Sequence, residues 1–126
     1  MAIVLDHTII PAKDKVASAE FFAEVFGLKF EGGKGRFAPV RVNDALTLDF
    51  DDQREVQESH HYAFHISDAE FDAILGRVKA KGLLYGSGPR DHQDGEINTR
   101  RAGRGFYFQD PNGHLLEVMT VKESGS

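Results

Sequence analysis

Apolar residues crowd the first stretch of the chain. Residues 3–10 are short, rich in β-branched side chains and closed by Pro11, a pattern that predicts a strand. From residue 14 to 26 the period changes. Val16, Ala19, Phe22, Val25 and Phe26 fall at helical spacing with charges opposite, and Gly27 supplies a left-handed stop. Residues 28–30, 37–42 and 45–50 then read as three strands, parted by the Gly32-Gly33-Lys34-Gly35 turn and by Asn43-Asp44. Residues 51–59 are polar and read as a linker.

The order then starts again. Residues 61–66 predict a strand, and Ser67-Asp68-Ala69-Glu70 is a capping box at a helix start. Phe71, Ile74, Leu75 and Val78 form the apolar stripe of that helix, which Gly82 ends. Residues 83–85, 105–109 and 114–121 supply three more strands. His7 and His61 occupy matching places 54 residues apart, and Gly27 and Gly82 match one residue out of phase. The expected fold is therefore α+β, with two tandem β-α-β-β-β modules at about 3–52 and 60–121 in one domain over 1–126. One module alone would leave its sheet uncovered. Paired modules are expected to form a curved mixed sheet around a concave site.

Strand alternation selects the residues that would face the concavity. Leu116 and Val118 flank Glu117 and would pack on a helix, which sends the acid to the other side. Tyr62 and Phe64 share one face of their strand, leaving His61, Ala63 and His65 on the other. His7 shares a face with Ile9. Two imidazoles and a carboxylate, His7, His61 and Glu117, are good ligands for a divalent metal with open positions. Each has an ordinary alternative, since a strand histidine is commonly a hydrogen-bonded core or surface residue.

Composition narrows the chemistry. There is no Cys, which excludes disulfides, thiolate metal sites and Cys nucleophiles. Fifteen basic against 20 acidic residues give a net charge of −5, poor electrostatics for a nucleic-acid partner. No run approaches the length of a membrane span, and no basic, then apolar, leader pattern opens the chain, so no membrane association and a cytoplasmic location are expected. Residues 122–126 read as a frayed polar tail. Within this acidic chain, residues 86–105 form a long connection holding Arg90, Arg100, Arg101 and Arg104. Such a loop is expected to act as a lid or to bind a carboxylate or phosphate, unless its arginines simply pair with Asp91, Asp94 and Glu96.

The motifs resemble the vicinal oxygen chelate superfamily, the glyoxalase, bleomycin resistance protein and extradiol dioxygenase family. Asp6-His7-Thr8-Ile9 and the helix end Phe21-Phe22-Ala23-Glu24-Val25-Phe26-Gly27-Leu28 are similar to that family's strand histidine and helix stop. His61-Tyr62-Ala63-Phe64 repeats the strand. The most specific stretch is Phe106-Tyr107-Phe108-Gln109-Asp110-Pro111-Asn112-Gly113-His114-Leu115-Leu116-Glu117. The resemblance covers residues 3–121 and places the family's metal ligands on His7, His61 and Glu117. It assigns Asp110 to Gly113 to a structural turn. Where glyoxalase-like members carry a Glu, this chain offers Thr47 and Asp49. Where fosfomycin-resistance members carry a concave Thr and a Ser, it has Ile9 and Gly105, which counts against phosphonate binding.

The resemblance implies a metal-dependent enzyme, with Fe, Mn, Ni or Zn chelating a small oxygen-bearing substrate for lyase, transferase or dioxygenase-type chemistry. Tyr107, His65 and Asp49 are the expected catalytic groups. Arg100, Arg101, Arg104 and Thr47 are the expected substrate contacts. A homodimer is expected, as for small members of the family. The rival readings are a metal-free small-molecule binding or drug-sequestering protein of the same fold, and a dimeric scaffold.

Overall fold

The computed structural model describes residues 3–33 and 35–122. Lys34 of the predicted glycine turn and residues 123–126 of the predicted tail lie outside the described residues. The chain divides into two compact units, residues 1–58 and 59–126.

The first unit runs β1 (His7–Pro11), α1 (Lys15–Phe26), β2 (Ala38–Arg41) and β3 (Thr47–Asp51). Its sheet has the order β1-β3-β2, with β1 parallel and β2 antiparallel to β3. Two sequence expectations are corrected here. Pro11 does not close β1 but belongs to it, because β1 lies at the sheet edge where a missing N–H costs no ladder bond. Residues 28–30 form no strand. Leu28 N–H is drawn back to the Ala23 carbonyl, and three residues between Gly27 and the glycine turn can close too few ladder bonds.

Helix α1 starts where the Asp14 side chain accepts from Ala17 N–H and stops at Gly27, whose φ of 71° is left-handed. It buries Ala19, Phe22, Ala23 and Val25, with Phe22 stacked on Phe26 and set against Phe50 of β3. Val16, read as part of the stripe, points outward, and Ser18 takes an inward place.

The second unit runs β4 (His61–His65), α2 (Asp68–Ala80), β5 (Tyr85–Gly86) and β6 (Gly105–Gln109), ending with β7 (Leu115–Met119). Its sheet order is β4-β7-β6-β5, again one parallel pair within an antiparallel set. Each module thus builds a mixed sheet with a helix, the α+β repeat the sequence implied. The strand that follows the helix, the second of the repeat, is absent among the described residues of the first unit and only two residues long in the second.

The capping box closes as read. Ser67 Oγ accepts from Glu70 N–H at 3.1 Å, and Glu70 Oε1 accepts from Ser67 N–H at 2.8 Å. Those bonds to Ser67 hold the Glu70 carboxyl below its ordinary value of 4.5. A depressed pKa gives stability that is complete above the ordinary value and lost as pH falls through the folded one. Ser67→Ala is expected to cost about 1 kcal/mol, read as a lower denaturant midpoint at unchanged slope. Among the described residues, no helix is long and apolar enough to cross a membrane.

Candidate functional site

In β7 the alternation places Leu116 and Val118 in the core and turns Glu117 to the other face, as the sequence reading required. The parallel neighbour β4 sets Ala63 opposite Glu117, so His61 stands one step along the same face. His61 Nε2 lies 3.0 Å from Glu117 Oε1. The carboxylate is buried, with 6% of its side chain exposed, whereas the imidazole is half exposed at 47%. A buried acid thus meets an accessible base at the sheet surface.

On the antiparallel side, β6 sets Tyr107 directly opposite Glu117. The phenol oxygen accepts from Arg100 Nη1 at 2.8 Å, and the Glu117 carboxylate opposite it raises the Tyr107 pKa. Burial is the largest influence on Tyr107 and raises its pKa, so it holds its proton at neutral pH. The Arg100 guanidinium also lies over the Tyr107 ring at 5.6 Å. Gly105 at the start of β6 is closely packed. A Cβ there would meet Asn98 Oδ1 and the Val118 carbonyl oxygen, both at 3.1 Å.

The long connection delivers its arginines to this place unequally. Arg100, Arg101 and Arg104 all line a narrow cleft beside Glu117 and Met119, with an interior volume of about 10 Å³, room for one water. Arg100 is tied to Tyr107 and to the Ser87 carbonyl. Arg104, an expected substrate contact that lines this cleft, also clamps α2. Its Nη1 donates to Asp72 at 2.8 Å, its Nη2 to Asp68 at 3.0 Å, and its guanidinium covers the Phe71 ring at 4.3 Å. Arg101 is exposed. Arg101 and Ala102 hold successive positive φ values of 55° and 61°, a strained backbone for residues with side chains.

The remaining expected residues are His65 in β4 and His7, Thr47 and Asp49 in the first unit. His65 is exposed and donates through Nε2 to the Thr120 carbonyl at 3.1 Å. In the first unit, β1 pairs His7 with Thr47 and Ile9 with Asp49, so these four share one face. Thr47 Oγ1 accepts from Arg41 Nη1 at 3.0 Å. His7 is exposed and its Nδ1 donates to Asp6 Oδ2 at 2.8 Å. That hydrogen bond, ahead of the charges of Asp6 and Asp49, raises the His7 pKa. It also fixes the neutral tautomer that leaves Nε2 as the open ligand atom. The sequence reading gave Asp6 no part. A carboxylate beside a candidate ligand histidine is the signal that could have found it.

Among the described residues, no group of three or more His, Asp or Glu gathers as a metal site. His61 and Glu117 are brought together; His7 belongs to the first unit. The pair passes a chemical test of fit. Two ligand atoms each about 2.1 Å from one ion and set at right angles lie about 3 Å apart, and the observed separation is 3.0 Å.

The family model of the glyoxalase/bleomycin resistance protein/dioxygenase superfamily matches residues 4–118. The chain belongs to that superfamily. Relatives within it include the glutathione transferase FosA of Serratia marcescens, 28% identical over 120 residues spanning 90% of this chain and 78% of that one. Among solved structures, the oxidase ChaP-H2 is 43% identical with a TM-score of 0.92, covering 99% of this chain and 98% of its own. The oxidase ChaP-H1 is 42% identical with a TM-score of 0.91, covering 98% and 100%. A fosfomycin resistance protein, FosX of Mesorhizobium loti, shares the fold at a TM-score of 0.72 and 24% identity over 98% and 97% of the two chains. With enzymes throughout this set, the chain is an enzyme of the glyoxalase/dioxygenase superfamily.

Proposed function

We propose that this enzyme holds a divalent metal through His61, Glu117 and His7 and oxidises a small oxygen-bearing substrate with dioxygen. The observation that carries the reading is the His61–Glu117 pair, one buried carboxylate and one accessible imidazole at ligand spacing. Two imidazoles and one carboxylate suit ferrous iron, which leaves positions open for substrate. When bound, such an ion supplies Lewis acidity and one-electron chemistry. Oxidation is favoured over thiol transfer by the oxidases' 43% and 42% identity over nearly the whole chain, against 28% for the glutathione transferase.

The chain's own residues have definable work in this reading. Glu117 is engaged by the His61 imidazole, and the Tyr107 hydroxyl on the strand opposite is held by Arg100. These contacts order the side chains around the carboxylate before anything binds. Substrate bound beside Glu117 would meet the Tyr107 hydroxyl and the Arg100 guanidinium, two donors aimed at developing negative charge on oxygen. Asp6 orients His7. A homodimer and a cytoplasmic location go with this reading; Ile3, Val4 and Leu5 present exposed apolar side chains fit to be covered by a second copy.

Asp6→Asn tests the orienting role. It is expected to weaken divalent-metal binding by about ten- to hundredfold while leaving the melting temperature unchanged, because Asp6 is exposed. Calorimetric titration of chelator-treated protein with manganese reads the first quantity. Equal affinity in wild type and variant would remove Asp6, and with it His7, from the site.

A further inference from the structure

The face of β1 that carries His7 continues through Ile9 to Pro11 and there borders a cavity of about 310 Å³ within the first unit. That volume falls within the usual range of small-ligand sites, about 300–1,000 Å³. Ile9, Pro11 and Phe37 give it apolar walls, and Arg36, Asp51 and Arg54 complete it. Ile9 is 48% exposed, a large apolar side chain left open beside an unfilled space.

The polar groups are unequal. Asp51, 5% exposed, is fully engaged. Its Oδ2 accepts from Arg36 Nη2 at 2.9 Å and Nε at 3.3 Å, and its Oδ1 accepts from Gln53 N–H at 3.0 Å. Arg36 is held from three sides, by Asp51, by the Phe37 ring 5.5 Å below its guanidinium, and by Lys15 Nζ on its carbonyl. This leaves its Nη1 unengaged among the described residues. Arg54 makes no hydrogen bond among the described residues. Two guanidinium groups therefore face one already neutralised carboxylate. The lining side chains, two arginines against one aspartate, sum to +1 in a chain whose net charge is −5.

We propose that this cavity binds an aromatic carboxylate, its ring against Ile9, Pro11 and Phe37 and its carboxylate on Arg54 and Arg36 Nη1. A flat apolar body matches the walls, and a planar anion matches the guanidinium donors. This names a substrate class for the enzyme and rests on the metal-dependent reading. Ile9 stands about 7 Å along the strand from His7, two residues on the same face. A molecule anchored here carries its other end toward the histidine.

The test is calorimetric titration of chelator-treated protein with 2-naphthoate and with neutral 2-naphthalenemethanol. Wild type is expected to bind the carboxylate at least tenfold more tightly. Arg54→Gln, at an exposed position, should abolish that preference while keeping the neutral compound. Ile9→Trp, which fills the cavity, should weaken both. Equal binding of the two compounds, binding of neither, or an Arg54→Gln variant with unchanged preference overturns the proposal. Manganese titration of the same samples separates the two readings. Naphthoate binding that fails beside intact metal binding removes only the aromatic subsite. The reverse result removes the metal and leaves the cavity its ligand.

Discussion

Glu117→Gln is expected to lower divalent-metal affinity by at least about a hundredfold, beyond the usual effect of losing a ligand's supporting partner, and to abolish turnover with it. The substitution keeps the shape of the side chain and its capacity to hydrogen-bond. What it removes is the negative charge that a metal requires at a position with 6% side-chain exposure. His61 would keep a partner at residue 117, so folding is expected to survive, with a melting temperature within a few degrees of wild type. Manganese titration and thermal unfolding on one preparation separate the outcomes. A variant that binds metal as wild type does would show that the His61–Glu117 contact is only a surface-to-core hydrogen bond. A variant that unfolds would leave His61→Ala, at a half-exposed position, as the equivalent test.

Phe106→Ala is expected to destabilise the protein by about 3–5 kcal/mol and to lower its melting temperature by roughly 10–20 °C. Phe106 is fully buried in β6. Its ring meets Phe71 of α2 edge-on at 5.3 Å, Tyr85 of β5 at 5.7 Å and Phe108 at 5.7 Å. Removing it opens a cavity where helix and sheet of the second unit meet, and the neighbouring rings cannot collapse to fill it. The loss is a large share of the stability of an ordinary domain, about 5–15 kcal/mol. Phe106→Leu retains most of the volume and should cost less than half as much. Equal unfolding midpoints for wild type and Phe106→Ala would mean that this ring cluster does not hold α2 to the sheet.

The legible part of the site is the part written in strands. A period of two fixes which side of β7 carries Glu117 and which side of β4 carries His61, because Leu116 and Val118 go to the core and Tyr62 and Phe64 to the less exposed face of β4. The capping box and Gly27 are local signals whose bonds close within a few residues, and they formed where the sequence put them. The connection over residues 86–105 has no period. Its three arginines near Glu117 looked equivalent in sequence, yet Arg100 supports Tyr107, Arg104 clamps Asp68 and Asp72, and Arg101 stays exposed. That division depends on which partner the backbone brings near, a long-range fact.

Pro11 and residues 28–30 illustrate the same limit from the side of the fold. Whether proline ends a strand depends on the strand's place in the sheet, and β1 lies at the end of its sheet's order. Whether three apolar residues form a strand depends on a partner long enough to bond them. Asp6 was missed for another reason. Reading its neighbour His7 as a ligand leaves open which ring nitrogen is free, and only the 2.8 Å bond from Nδ1 answers that.

The central claim is that His7 and His61 ligate the same ion beside Glu117. Pulsed electron paramagnetic resonance of manganese-loaded protein tests it most directly, because it counts the imidazole nitrogens bound to the metal. Two are predicted in wild type, and one in each of His7→Ala and His61→Ala. An unchanged count in His7→Ala, or no imidazole in wild type, would contradict the account.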